Sequence, residues 1–242
     1  MDFARYQRQL LVPEFGKKGQ QILSEKHAVI IGGGGLGSNL SDLLVRIGIG
    51  SLDIIDDDTI DLTNIHRTSL FTEDDIGQKK SQVLADKLQK INHNVSITAI
   101  PKRFTKDNAV SLTTNADIVL DGTDNMKTRF LINDISLQQN IAWVYAGVYS
   151  TVGMVMAILP YQTPCLKCIA QNIPEKTADV PVLGNLTAMT ACIECTEALK
   201  ILLGKQLSGL LIYDVWNQQF DQIKIQKNPQ CLCCGSQHDG AL

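Results

Sequence analysis

From residue 27 onward, short apolar runs alternate with longer segments in which apolar residues recur every three or four positions. AVII at 28–31 predicts a buried strand. GLGSNLSDLLVRIG at 35–48 predicts a helix, because Leu36, Leu40, Leu43, Leu44 and Ile47 fall on one side of a 3.6-residue period. SLDIID at 51–56 is the next strand, QKKSQVLADKLQKIN at 78–92 a helix, and VSITAI at 95–100 and ADIVLD at 116–121 are further strands. Such alternation predicts right-handed βαβ units and a largely parallel sheet flanked by helices.

After a helix over DNMKTRFLINDISLQQN, at 124–140, the texture changes. WVYAGVYS and VGMVMAILP are adjacent strands, a helix lies near 187–203, and GLLIYDV and FDQIKIQ complete four strand-like runs with a single intervening helix. This pattern predicts that the carboxyl half extends the sheet edge with antiparallel strands. The chain shows no internal repeat, low-complexity tract or linker, so residues 1–242 are expected to form a single α/β domain, with parts at about 1–140 and 141–242.

Composition narrows the classes further. Hydrophobic residues at 44% and charged residues at 19% are ordinary globular values. A net charge of −3 gives no reason to expect nucleic acid or a membrane surface as partner. The most apolar stretch, Tyr145 to Leu159, is interrupted by Gly147, Ser150, Thr151 and Gly153 and is too short for a bilayer span. MDFARYQRQL carries charges and no apolar core, so it is not read as a secretory signal. The seven cysteines are therefore expected in a reducing, cytoplasmic compartment, where paired thiols more often bind metal or do redox chemistry than form disulfides.

The candidate chemistry begins at VIIGGGGLG, residues 29–37, where Gly32, Gly34 and Gly37 match G-x-G-x-x-G between a strand and a helix. Glycines at such a Rossmann-like turn let backbone approach phosphate at a helix amino terminus; the plain alternative is a tight turn without ligand. Asp56 fits the acidic residue expected about 20 residues on, against ribose hydroxyls. Asp57 and Asp58 follow it, and three successive carboxylates argue against a 2′-phosphate but do not separate NAD from ATP. Downstream, Asn64, Arg67 and Lys80 could neutralise a triphosphate. Asp124, after the strand at 116–121, could carry Mg²⁺ beside it. Hydride transfer needs none of these; singly, each basic residue reads as a surface charge.

PCLKC supplies Cys165 and Cys168, and PQCLCCG supplies Cys231 and Cys234. Two distant C-x-x-C pairs predict a closed, structural Cys₄ zinc site, with Cys233 able to replace either ligand of its pair. Cys192 and Cys195 share the spacing but lie in an apolar helical segment, where core packing is the better reading.

As an ordered set, RYQRQ (5–9), IGGGGLGS (31–38), DDDTIDLTNIHR (56–67), IGQKK (76–80), DGTDN (121–125) and the two cysteine pairs resemble the ThiF/MoeB group, bacterial relatives of ubiquitin-activating enzymes. The resemblance runs from Arg5 to about Gly235. It implies an ATP-dependent, homodimeric adenylyltransferase. Such an enzyme converts the terminal glycine carboxylate of a ubiquitin-like sulfur carrier ending in Gly-Gly, ThiS-like or MoaD-like, into an acyl-adenylate, releasing pyrophosphate. FTEDDIGQKKSQV and DNMKTR lean slightly towards ThiF, hence thiamine rather than molybdopterin biosynthesis. By the same resemblance the backbone of Gly35 meets the ATP phosphates and Asp56 holds the ribose. Asn64, Arg67 and Lys80 bind the triphosphate, Asp124 holds Mg²⁺, and Asn125 lines the site. Arg8 corresponds to an arginine reaching into the partner subunit's site. A carboxylate nucleophile is already ionised at neutral pH and needs no general base, so His27, His66, His93 and His238 are read as structural or exposed.

One departure matters. The family carries a cysteine on the loop after the first zinc pair, and the matching position here is Thr177, with no cysteine between Cys168 and Cys192. This predicts an enzyme that makes the acyl-adenylate and leaves thiolation to a separate sulfur donor such as a cysteine desulfurase. Relatives lacking that cysteine adenylate a peptide terminus in antibiotic maturation, typically with a peptide-binding region ahead of this domain; RYQRQ at residue 5 leaves no room for one. A non-catalytic nucleotide scaffold is disfavoured because every charged position that adenylation needs is present, and an NAD-dependent oxidoreductase rests on the glycines alone.

Overall fold

A computed structural model of the chain describes residues 3–170 and 180–235. One eight-stranded sheet runs in the order β3-β2-β1-β4-β5-β6-β7-β8. β1 (His27–Ile31), β2 (Ser51–Ile55), β3 (Ser96–Ile100), β4 (Ile118–Asp121) and β5 (Ala142–Tyr149) are mutually parallel where they pair. β6 (Val152–Ile158), β7 (Leu210–Asp214) and β8 (Gln219–Ile223) continue the sheet antiparallel. The expected edge extension is therefore present, but it starts one strand later: β5, the first run after the change of texture, is still parallel to β4.

Alternation along each strand sends side chains to two cores. Ala28, Ile30, Leu52, Ile54, Ile118 and Leu120 face one core, packed by α2 (Gly35–Ile47), α4 (Lys80–Ile91) and α8 (Gly184–Leu202). Val29, Ile31, Ile55, Val119 and Trp143 face the other, with Ile132 and Ile135 of α6 (Met126–Gln139). Leu36, Leu40 and Leu44 are buried and Leu43 and Ile47 partly buried, as the helical period over 35–48 requires. The helix expected near 187–203 begins earlier, at Gly184, and lies against α2, β5 and β6. Short helices α1 (Gly16–Leu23), α3 (Leu62–Ile65), α5 (Ala109–Thr113) and α7 (Leu166–Ile169) lack the length to show a period in sequence. Among the described residues no helix is long and apolar enough to cross a membrane.

At the amino end of the sheet, His27 is half-buried between two acceptors: Nε2 lies 3.1 Å from Asp53 Oδ2 and Nδ1 3.3 Å from the Asn115 carbonyl. Both ring nitrogens can donate only in the imidazolium form, and the hydrogen bond to Asp53 holds the His27 pKa above its ordinary value despite partial burial. The Asp53 carboxyl, which burial would raise, is brought below its ordinary value by the bond from His27. His27 thus contributes stability fully below its unfolded pKa of about 6.5 and loses it as pH rises through the higher folded value; Asp53 keeps its share down to about pH 4. The melting-temperature gap between wild type and His27→Gln is accordingly expected to be wide near pH 6 and to close near pH 9, as differential scanning fluorimetry will show.

Candidate functional site

The carboxyl ends of β1 to β4, with β5 at the side, surround a cavity of about 710 Å³. Its floor is the turn from β1 into α2. Gly32 has φ +95°, and a Cβ there would stand 2.5 Å from the Gly122 carbonyl oxygen, so glycine is required at this approach. Gly34 caps α2 without a side-chain hydrogen bond, and Gly35 opens the helix beneath Arg67 and Thr187. The first-turn N–H groups therefore lack a side-chain partner and face the cavity lined by Gly34 and Gly35, an arrangement suited to an anion. Gly37 is not on the wall: its Cβ would stand 1.8 Å from the Gly32 carbonyl oxygen, so this glycine of the motif serves helix–strand contact.

β2 delivers the carboxylates. Asp56 Oδ2 accepts from Gly33 N at 2.6 Å and Oδ1 from Asp58 N at 2.8 Å, which orients the side chain. Burial raises the Asp56 pKa, while the Gly33 N–H and the charge of Lys80 oppose the rise. Lys80, at the start of α4 and nearly buried, pairs with the exposed Asp58 at 2.8 Å. Ser81 Oγ and Lys79 Nζ donate to the carbonyls of Asp56 and Asp57 at 3.0 and 2.5 Å, so the start of α4 is stapled to the acidic loop.

The turn after α3 carries Arg67 on the cavity wall, its Nη1 donating to the Thr63 carbonyl at 2.5 Å. Its backbone carbonyl accepts from Asn39 Nδ2 and Thr187 Oγ1 at 3.1 and 2.8 Å, tying the turn to α2 and α8. Asn64 is off the wall; its amide closes the α3 capping box, Oδ1 accepting from Asp61 N at 3.2 Å. Arg8 is exposed at the amino end of a 3₁₀ turn, Gln9–Leu11, and does not line the cavity of its own chain.

Beyond β4, Asp124 and Asn125 are exposed on the rim, Asn125 capping α6 by accepting from Thr128 N at 2.9 Å. A buried network holds this rim. Asp121 accepts from Arg129 Nε at 3.0 Å and Thr123 Oγ1 at 2.6 Å, and Arg129 Nη2 donates to the carbonyls of Thr123 and Ala146 at 2.7 and 2.9 Å. Glu194 of α8 accepts from Asp121 N at 2.9 Å; burial, then the charge of Asp121, pushes its pKa well above the carboxylate range.

Sequence reasoning missed several wall residues. Lys102 and Arg103 lie just past β3, where the rule that sites form at strand ends, applied there as to β2 and β4, would have found them. Val148, Val182 and Thr187 had no such signal, because the carboxyl half folds back over the cavity: Ser150 N donates to Pro181 O at 2.7 Å and Leu183 N to Ser150 O at 3.0 Å. His66 was read as structural or exposed; it is exposed on the wall, whereas His93 is exposed elsewhere. His238 and Thr177 lie outside the described residues.

The Sγ atoms of Cys165, Cys168, Cys231 and Cys234 lie within 4.8 Å of one another. Three separations, 4.0, 3.7 and 3.4 Å, bracket the ~3.8 Å edge of a tetrahedron with Zn–S bonds of ~2.3 Å. Cys233 is outside the quartet, its Sγ 3.7 Å from Asp134 Oδ1, which resolves the ambiguity within PQCLCCG. Burial pushes the Cys165 thiol up, so the four thiols do not ionise together unaided; a divalent cation such as Zn²⁺, bound there, would supply the compensating charge.

An α/β sheet with a glycine turn, an aspartate at the β2 end and converging basic side chains defines a nucleotide-binding protein. The chain belongs to the ThiF family, whose model matches residues 6–233. It is 34% identical over 247 residues to the sulfur carrier protein adenylyltransferase of Thermus thermophilus, covering 96% of this chain and 91% of that one. It is also 34% identical to the SAMP-activating enzyme E1 of Haloferax volcanii, covering 96% and 88%. Identity to the ThiS adenylyltransferase of Bacillus subtilis is 32%, covering 96% and 71%. The crystal structure of E. coli MccB with ATP superposes with a TM-score of 0.84 over 97% of this chain and 75% of that one, at 23% identity, a likeness of fold. The chain is an adenylyltransferase of the ThiF/MoeB type.

The cysteine quartet predicts zinc that co-purifies with the protein, measurable by plasma mass spectrometry. Cys234→Ser is expected to abolish it and to lower the melting temperature, and a strong chelator to do the same to wild type.

Proposed function

We propose that the chain, acting as one adenylation domain in the cytoplasm, activates the C-terminal glycine carboxylate of a ubiquitin-like sulfur carrier ending in Gly-Gly. The carrier is ThiS-like or MoaD-like, for thiamine or molybdopterin biosynthesis, and the product is the acyl-adenylate with release of pyrophosphate. The observation that carries this reading is that a single cavity is lined by the glycine turn, Asp56, Arg67, Lys80 and Asp124.

In this reading the backbone at Gly32, Gly34 and Gly35 receives the ATP phosphates, and Asp56 accepts from the ribose hydroxyls. Arg67 and Lys80 neutralise the triphosphate, with Asn64 joining them if its amide leaves the α3 cap. Asp124, an exposed carboxylate beside basic groups, has the donor chemistry that Mg²⁺ requires, and Asn125 borders it. Attack of a carboxylate on the α-phosphate brings two anions together, so fixed positive charge is what the site has to supply; the nucleophile needs no base. Gly37 contributes through packing.

The enzyme works as a homodimer in which Arg8 reaches the partner's cavity, a role its exposure permits. Thiolation is left to a separate sulfur donor such as a cysteine desulfurase. Of the two helix cysteines expected in the core, Cys195 is buried and burial pushes its thiol up to about 12, which suits no acyl transfer, whereas Cys192 is exposed on α8.

ATP–pyrophosphate exchange tests this. Exchange is expected with one of the two carriers, and Asp124→Ala or Arg67→Ala should lower it by about a hundredfold or more. A protein that binds ATP but exchanges with neither carrier would overturn the carrier as substrate.

A further inference from the structure

His66 stands on the cavity wall between Arg67 and the start of α8, exposed rather than packed. Its Nε2 lies 3.2 Å from Arg67 Nη1. A guanidinium only donates, so this contact exists only while Nε2 is unprotonated and accepts. On the other side, a Cβ built on Gly184 would stand 2.4 Å from the His66 carbonyl oxygen and 3.4 Å from Nδ1. The first turn of α8 therefore closes directly on His66, and glycine at 184 makes room for it. One nitrogen of the Arg67 guanidinium, Nη1, is thus held by two acceptors, the Thr63 carbonyl and the imidazole.

We infer that neutral His66 is a positioning residue that aims the Arg67 guanidinium at the anionic end of the nucleotide, which rests on the proposed role of Arg67. Protonation at Nε2 removes the acceptor and sets two cations side by side, so Arg67 leaves its place. Among the described residues the neighbouring elements do not offset this. The segment 180–183, Val-Pro-Val-Leu, has no ionisable side chain, and the first turn of α8 has no acidic residue. Across the cavity Lys80 is paired with Asp58, and Asp56 already accepts from two backbone N–H groups. Asp57 is exposed on the same loop and Asp124 on the far rim, while Lys102 and Arg103 only add to the positive side.

Calorimetric titration with ATP and Mg²⁺, on wild type, His66→Gln, His66→Ala and Arg67→Ala, tests the inference. Glutamine retains an acceptor that does not titrate, and the ratio of wild-type to His66→Gln affinity cancels the titration of ATP itself. That ratio is expected to fall about tenfold between pH ~8 and ~5.5. His66→Ala should bind weakly throughout, and Arg67→Ala should lose the dependence on His66. The inference is overturned by a ratio that stays flat, by one that rises on acidification, as direct contact of an imidazolium with phosphate would produce, or by His66→Ala matching wild type at pH ~8. Wild type that binds no ATP at any pH sinks the proposed function and this inference together, whereas tight binding with a flat ratio sinks only the inference. Thermal melts at each pH separate loss of folding from loss of affinity.

Discussion

The close approach of three backbones, at Gly32, Gly37 and Gly122, sets the geometry on which the rest of the site depends. The Gly32 carbonyl would stand 1.8 Å from a Cβ at Gly37 and 2.1 Å from one at Gly122, so any side chain at either position forces the turn open. With hydrogen in those places, α2 starts directly over the ends of β1 and β4. Its unpaired N–H groups then lie within a few strand spacings of the residues that follow β2, β3 and β4. The site is assembled by neighbouring strands ending together, and the glycines determine how near the phosphate-sized space comes to the sheet.

Charge at this site is arranged with its counter-charges already in place. Lys80 is nearly buried and would be costly alone; Asp58 at 2.8 Å compensates it. Arg129 is buried against Asp121, which carries the negative charge for that region, and Glu194 beside it is held towards its neutral form. One guanidinium balances one carboxylate, and a second ionised carboxylate there would be unpaired. Arg67 is different: the Thr63 carbonyl and His66 Nε2 that hold its guanidinium are neutral acceptors, which leaves its charge for an incoming anion.

The carboxyl half does more than widen the sheet. α8, packed along α2, is also bonded to the amino half through Glu194 under the β4 end and through Thr187 on the Arg67 carbonyl. The cysteine quartet ties residues 231–234 to 165–168, closing a loop that contains α8, β7 and β8. A displacement of α8 would therefore be felt at both the glycine turn and the β4 rim.

Much of this was legible in the linear chain, because the signals are short-ranged. Short apolar runs and the 3.6-residue period located the strands and long helices, glycine spacing marked the phosphate turn, and C-x-x-C pairs marked the thiol quartet. Asp56 and Asp124 were visible because each follows a strand and Lys80 because it opens a helix, whereas Arg67, in the turn after α3, was visible through the motif DDDTIDLTNIHR. What the linear chain left open required distant segments to meet. β5 stays parallel because it pairs with β4, and Gly37 is consumed where its backbone crosses those of Gly32 and Gly122; Asn64 is a local case, drawn into the α3 cap by Asp61 three residues before it. Lys102 and Arg103, just past β3, were within reach of the strand-end rule, but Val182 and His66 become wall residues only when the segment leading into α8 closes on the cavity. Local propensity and motif chemistry are written in spacings of a few residues. Which faces converge depends on crossovers and packing between elements far apart in sequence, and that only the tertiary structure decided.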